Sequence, residues 1–179
     1  MSQNSWNQLL ARGRKSGTAL SNTTTATSIL PGAERFNCPS NLWEVGTSFN
    51  VRVGGRISTA ASTPGTLTLD FRVGSVIIAS FTTGTLVTSA SNLSWLADVD
   101  FITQAVDSGT GTTLLSLGTL FSYALSATSP LLMLPASSPT TGTGYDNTVS
   151  GFLDVFATWS VASASNSVRC DLFKFRLEN

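Results

Sequence analysis

Leu67-Thr68-Leu69-Asp70-Phe71-Arg72-Val73, then Gly74-Ser75, then Val76-Ile77-Ile78-Ala79-Ser80-Phe81, is the stretch that decides the fold class. Leu67, Leu69, Phe71 and Val73 fall on one side of an extended chain, and Thr68, Asp70 and Arg72 on the other. That period of two is the mark of a half-buried strand. Gly74-Ser75 is a tight hairpin signal, and Val76 to Phe81 is a short run of strand-forming residues.

The pattern recurs in both directions. From Phe49, Val51, Val53, Gly55 and Ile57 share a face opposite Arg52, Gly54 and Arg56. Further on, Trp95, Ala97, Val99 and Phe101 alternate with Leu96, Asp98, Asp100 and Ile102. Asp107-Ser108-Gly109-Thr110-Gly111 is the strongest turn in the chain. Thr112 to Leu125 reads as a strand with both faces partly apolar, through Leu115, Leu117, Phe121, Tyr123 and Leu125, with Gly118 as a bend or bulge. Val149 to Val161 places Leu153, Val155, Ala157, Trp159 and Val161 together, and Val168 to Leu177 is a terminal strand. Seven or eight strands follow, with no long amphipathic helix between them, which argues against a parallel α/β fold. The expectation is all-β: a two-sheet antiparallel β-sandwich, jelly-roll or immunoglobulin-like. The Cys…Trp…Cys spacing of an immunoglobulin domain is absent, since Cys38 and Trp43 are nearly adjacent.

Two stretches stand apart. Residues 1–30 read as a flexible N-terminal arm before a sandwich domain of residues 31–179, with Pro31-Gly32 as the turn between them. Within the arm, Ser5 to Leu10 could form a short helical turn, followed by a Thr- and Ser-rich run. Trp6, Leu9 and Leu10 are candidate anchors on a neighbouring subunit, and Arg12, Arg14 and Lys15 candidate contacts to a negative surface. Residues 126–147 read as an excursion from the sheet, spaced by Pro130, Pro135 and Pro139. Leu131, Leu132, Met133, Leu134 and Tyr145 are its candidate contacts.

Of the 179 residues, 41% are hydrophobic and only 11% charged, against about 25% in ordinary soluble proteins. Ten Phe and four Trp give material for a core, so the chain folds. Low charge suits a protein held in an assembly better than a free monomer. Ten basic and ten acidic residues leave no net charge, which argues against a specific nucleic-acid partner. Met1 to Leu10 lacks the apolar stretch of a secretory leader, and no run of about 18 apolar residues offers a membrane helix. Synthesis in the cytoplasm with no membrane partner is therefore expected.

Little chemistry is on offer. Without histidine, the Ser-His-acid triad and histidine-ligated metals are out of reach. Phosphate and dinucleotide loops are missing, so no cofactor and no catalytic residue are expected. Asp98 and Asp100 share a strand face, where carboxylates more often meet solvent or a subunit than do acid-base work. Arg52, Arg56 and Arg72 occupy polar strand faces and could pair with Asp70 or Asp98 or meet a partner. A calcium site at Asp107 or Asp146 lacks the EF-hand pattern. Cys38 and Cys170 allow one disulfide or two buried thiols. Phe71, Trp95, Phe101, Phe121 and Trp159 read as core, which leaves Trp43 and Tyr145 as candidates for an exposed sugar platform.

Thr23-Thr24-Thr25-Ala26-Thr27-Ser28-Ile29-Leu30-Pro31-Gly32, Leu67 to Gly74, and Thr158-Trp159-Ser160-Val161-Ala162-Ser163-Ala164-Ser165-Asn166-Ser167 together resemble small β-sandwich structural proteins of tailed bacteriophages. The resemblance implies a particle-bound protein in the virion and does not by itself separate head from tail. The leading expectation is a capsid decoration or minor head protein, with partners such as the major capsid protein or neighbouring subunits. The resemblance also implies self-association, for which icosahedral shells favour a trimer. A carbohydrate- or receptor-binding module of a tail or tail fibre is the alternative. No catalytic residue comes with it.

Overall fold

The Gly74-Ser75 turn closes the hairpin that the alternation predicts, with Val73 opposite Val76 and Gly74 at φ +61°. A positive φ at the first of two turn residues suits the twist of a hairpin. The computed structural model describes residues 7–135 and 140–178. Its strands are β1 (Asn7–Arg12), β2 (Leu20–Ser21), β3 (Thr27–Ser28), β4 (Phe36–Cys38), β5 (Ser48–Ser58), β6 (Leu67–Val73) and β7 (Val76–Thr82), followed by β8 (Leu93–Ala105), β9 (Thr112–Ser122), β10 (Leu131–Leu134), β11 (Thr140–Tyr145), β12 (Gly151–Trp159) and β13 (Ser167–Glu178). A short 3₁₀ turn at Gly32–Glu34 is the one helical element among the described residues.

Every strand pairing is antiparallel, and the strands form two sheets. The larger has eight strands in the order β1-β13-β5-β8-β9-β10, with β2 also on β13 and β11 also on β9. The smaller has five, in the order β3-β12-β6-β7, with β4 also on β12. The fold is an all-β, two-sheet antiparallel sandwich. Its core is made of the apolar faces that the alternation singles out: Val51, Val53, Phe71, Ala97, Val99, Phe101, Leu153, Val155, Ala157 and Trp159 are all fully buried. Phe49 stacks on Phe101 at 4.6 Å, and Phe101 of the larger sheet meets Phe71 of the smaller at 5.7 Å. Trp43 packs on the other side of Phe49 at 4.4 Å, and Phe81 against Phe71 at 5.8 Å. Such aromatic pairs add about 0.5–1.5 kcal/mol each beyond burial.

From Asn7 onward, the segment expected to form an arm is laid along the sandwich. The expected helical turn is a strand: β1 pairs with β13, Asn7 opposite Glu178 and Arg12 opposite Lys174. Beyond it the Gly13 and Gly17 amides donate to the carbonyls of Phe173 and Cys170, both at 2.7 Å. A Cβ at Gly17 would run into the Ile29 carbonyl oxygen, so only glycine lets the chain pass there. Leu20, Ile29 and Leu30 are then buried in the core, which is the physical reason the segment is held. Leu10 packs against the same core, whereas Leu9 is 46% exposed. Trp6 lies outside the described residues. In the excursion, β10 and β11 add successively to the outer edge of β9.

The middle of the larger sheet carries a bulge. The β13–β5 register shifts between Cys170 and Leu172, opposite Gly55 and Gly54. A Cβ on Gly55 would collide with the Arg169 carbonyl oxygen and come within 2.8 Å of the Asp171 nitrogen. Bulged strands use glycine where backbones approach this closely. Gly55→Ala should cost roughly 2–4 kcal/mol, the range of severe backbone and packing lesions. Gly32→Ala, whose Cβ would meet nothing within 4 Å, should stay near wild type. Urea denaturation of the two variants checks the contrast.

Candidate functional site

Strand β9 decides where the chain can meet a partner. Its pairing with β8 sets Leu120 opposite Ala97 and Ser116 opposite Phe101, so these β9 residues share the buried face. The alternate positions must then face outward, because side chains alternate strictly along a strand. Leu117 is 45% exposed and Phe121 42%, and Tyr123, just past the strand, is 54% exposed. Phe121, read from sequence as core, is thus on the surface. Polar residues take the inward places and satisfy local backbone. Ser122 Oγ donates to the Ser94 carbonyl at 2.9 Å, and Thr112 Oγ1 donates to the Asp107 carbonyl at 2.8 Å.

The neighbouring strands extend this apolar face. Leu96 lies opposite Phe121 on β8, with Leu131 opposite it on β10. Met133 opposes Thr119, and Ile102 opposes Leu115. Leu131, Met133 and Ile102 are about half exposed, at 55%, 49% and 46%. Phe121 and Tyr123 meet edge to face, with ring centres 5.7 Å apart. Of the five excursion residues singled out from sequence, Leu131 and Met133 join the face, while Leu132 packs on the core and Leu134 and Tyr145 are buried.

Towards the centre of the sheet the same face turns polar. Asn50 Nδ2 donates to both Asp98, at 2.6 Å, and Asp100, at 2.8 Å. Arg52 pairs with Asp98 at 3.4 Å. The two carboxylates therefore share an amide donor, an arrangement that ties β5 to β8. Arg56 instead meets Asp171 on β13 at 3.1 Å, beside Arg169.

The outer face of the smaller sheet carries a network of ion pairs, with Phe152 and Ile77 about half exposed on the same face. Arg72 pairs with Asp70 on its own strand at 2.7 Å, and Ser80 Oγ donates to the same carboxylate. Arg72 also lies 4.2 Å over the Phe156 ring. Arg35 reaches Asp154 at 3.0 Å, and Ser28 Oγ donates to it at 2.7 Å. Burial nonetheless pushes the Asp154 carboxyl above its ordinary value, against the pull of Ser28 and Arg35. These groups hold β3, β6, β7 and β12 together.

Both aromatic residues proposed from sequence as an exposed platform are buried: Trp43 is 1% exposed and Tyr145 4%. The reason is Asn147. Its side-chain oxygen accepts from the Trp43 amide at 3.2 Å, and its Nδ2 donates to the Trp43 carbonyl at 3.0 Å. This clamp draws the loop before β5 onto the loop after β11 and covers both rings. Asp107 and Asp146 cap turns: Asp107 accepts from the Ser108 amide, and Asp146 from the Thr148 amide and hydroxyl. The Thr148 bonds, helped by the Gly109 amide, hold the Asp146 carboxyl below its ordinary value. Among the described residues no group of three or more His, Cys, Asp or Glu could hold a metal, and no helix is long and apolar enough to cross a membrane.

Cys38 and Cys170 are free and buried. Burial pushes the Cys38 thiol up to about 12 and the Cys170 thiol up to about 11. At neutral pH neither is a thiolate, which is the reactive form. A thiol-specific disulfide reagent should therefore leave the native protein unmodified and modify both cysteines in denaturant. Fast labelling of native protein would contradict the burial.

No family model matches the chain, and no curated protein matches it. Among solved structures it is similar to the CBM2 module of the evolved Dit of Lactobacillus casei BL23 phage J-1. The identity is 12%, the match covers 98% of this chain and 97% of that one, and the TM-score is 0.38.

Proposed function

We propose that the chain is a non-catalytic structural and binding module of a phage particle, and that it docks through the apolar outer face of its larger sheet. The observation that carries this reading is the continuous row of half-exposed Leu117, Phe121, Tyr123, Leu131 and Met133 on a rigid sheet. Isolated exposed apolar residues are normal, whereas contiguous patches mark interaction sites. Low charge and the resemblance to phage structural proteins point the same way. The occupant is a neighbouring virion subunit, on the head shell or on the tail. Leu117→Ser combined with Phe121→Asp should weaken binding to particles lacking the protein about 30-fold or more, the scale of losing one interface hot spot. Both residues face outward, so the thermal midpoint should barely move. Undiminished binding by the folded variant would end this reading.

A second reading has its own observation, the exposed Phe121–Tyr123 pair beside the Asn50, Asp98 and Asp100 polar cluster. Aromatic faces next to hydrogen-bonding groups are what a sugar ring requires, and this would make the chain a receptor-binding module of the tail. An array of bacterial surface glycans should then give a signal that Tyr123→Ala removes. A blank array counts against it.

A further inference from the structure

The ten basic residues divide into two sets. Arg35, Arg52, Arg56, Arg72 and Arg169 each reach a carboxylate. Arg12, Arg14, Lys15, Lys174 and Arg176 form no ion pair among the described residues, and all lie on β1, on β13 or in the turn after β1. Arg12 lies directly opposite Lys174, and Lys174 directly opposite Arg52, a row of three cations across adjacent strands. Like charges opposite one another destabilise a sheet. Asp98 answers Arg52 within the fold, which leaves the Arg12–Lys174 pair without a carboxylate partner among the described residues. Beside it, Arg12, Arg14 and Lys15 form one wall of an open groove of about 650 Å³, with Arg35 and Phe36 across from them. Glu34 also lines the groove, but accepts from the Arg14 amide, and Glu178 accepts from Asn7.

Of the six acidic residues without an ion pair among the described residues, Glu34 and Glu178 lie at this edge, Asp100 is held by Asn50, and the other three lie together elsewhere. Glu44, Asp107 and Asp146 sit on three loops drawn together at the β8–β9 end. The Gly46 amide donates to the Thr103 carbonyl, Asn147 clamps Trp43, and the Asp146 carboxylate accepts from the Gly109 amide. Glu44 and Asp107 are exposed. In the strand order, β1 and β9 stand four strand spacings apart, about 19 Å. Arg12 on β1 and Asp107 beside β9 are thus farther apart than the Debye length of about 8 Å at physiological ionic strength, whereas Glu44 precedes β5, the neighbour of β13.

We infer that the basic edge formed by β1 and β13 receives the acidic loops of a second copy of this chain, giving a head-to-tail contact. Charge complementarity within a chain of zero net charge carries the choice of occupant. A receptor for a polyanion would carry an excess of positive charge over the whole molecule. Each copy presents both patches, so the contact is heterologous and repeats into a ring or a filament. It goes beyond the docking reading above, since it uses other surfaces and neither depends on the other.

The test is sedimentation velocity on the full chain at about 20 mM and about 500 mM salt, where the Debye length falls severalfold. Wild type should associate at low salt, increasingly with concentration, and dissociate at high salt. Arg12→Glu with Lys174→Glu should be monomeric, as should Glu44→Lys with Asp107→Lys. Mixed in equal amounts, the two variants should associate with one another at low salt, because the retained patches are complementary and so are the reversed ones. Circular dichroism confirms that both are folded. Where the second variant fails to fold, Glu44→Lys alone takes its place. The inference is overturned if wild type stays monomeric at low salt or if the mixed variants do not combine. It is overturned equally if monomeric wild type binds heparin or duplex DNA through Arg12 and Lys174. Phe121→Asp should leave the salt-dependent association intact. If that substitution abolishes it, the contact belongs to the apolar face, and the docking reading stands without this one.

Discussion

The stack that runs from Trp43 through Phe49 and Phe101 to Phe71 and Phe81 joins the two sheets into one body. Phe49 and Phe101 lie side by side on β5 and β8, and Phe71 meets them from the opposite sheet. A sandwich core is only about 10 Å thick, so one layer of such rings fills the space between the sheets. Once the stack is in place, the register of the central strands is fixed. A one-residue slip of any of them would put its ring in solvent.

Peripheral segments depend on that centre. β1 and β2 lie along β13, while β3 and β4 lie along β12, so the first described residues are held by the last two strands. Buried Leu20, Ile29 and Leu30 close the sandwich on that side, and the indole N–H of Trp159 donates to the Leu20 carbonyl at 3.4 Å. On the other side, β10 and β11 extend the sheet beyond β9. Each addition turns a former edge into an interior pairing, which removes unpaired backbone from the surface.

The surfaces that result are unequal. The smaller sheet's outer face is cross-linked by Arg35–Asp154 and Arg72–Asp70, with Phe156 beneath Arg72 and Phe152 and Ile77 half exposed. The larger sheet's outer face is graded: unpaired cations at β1 and β13, an Asn50–Asp98–Asp100 network in the middle, and large apolar groups at β9 and β10.

The amino-acid sequence alone determined the all-β class, the β6–β7 hairpin and the inward faces of β6, β8 and β12. Period-two alternation is local, so it can be read without knowing the neighbours. The lack of histidine removed whole classes of chemistry on the same local basis. Only tertiary structure decided which face of β9 is buried, because Leu117, Phe121 and Tyr123 on one side and Leu114 and Leu120 on the other look alike until β8 pairs with it. The Ser- and Thr-rich start carried no periodic signal, and its order comes from a partner strand at the far end of the chain, where Asn7 meets Glu178. Trp43 and Tyr145 were hidden by Asn147, whose two bonds span more than a hundred residues. Pairings of that range are made by the folded chain as a whole, and no window of sequence contains them.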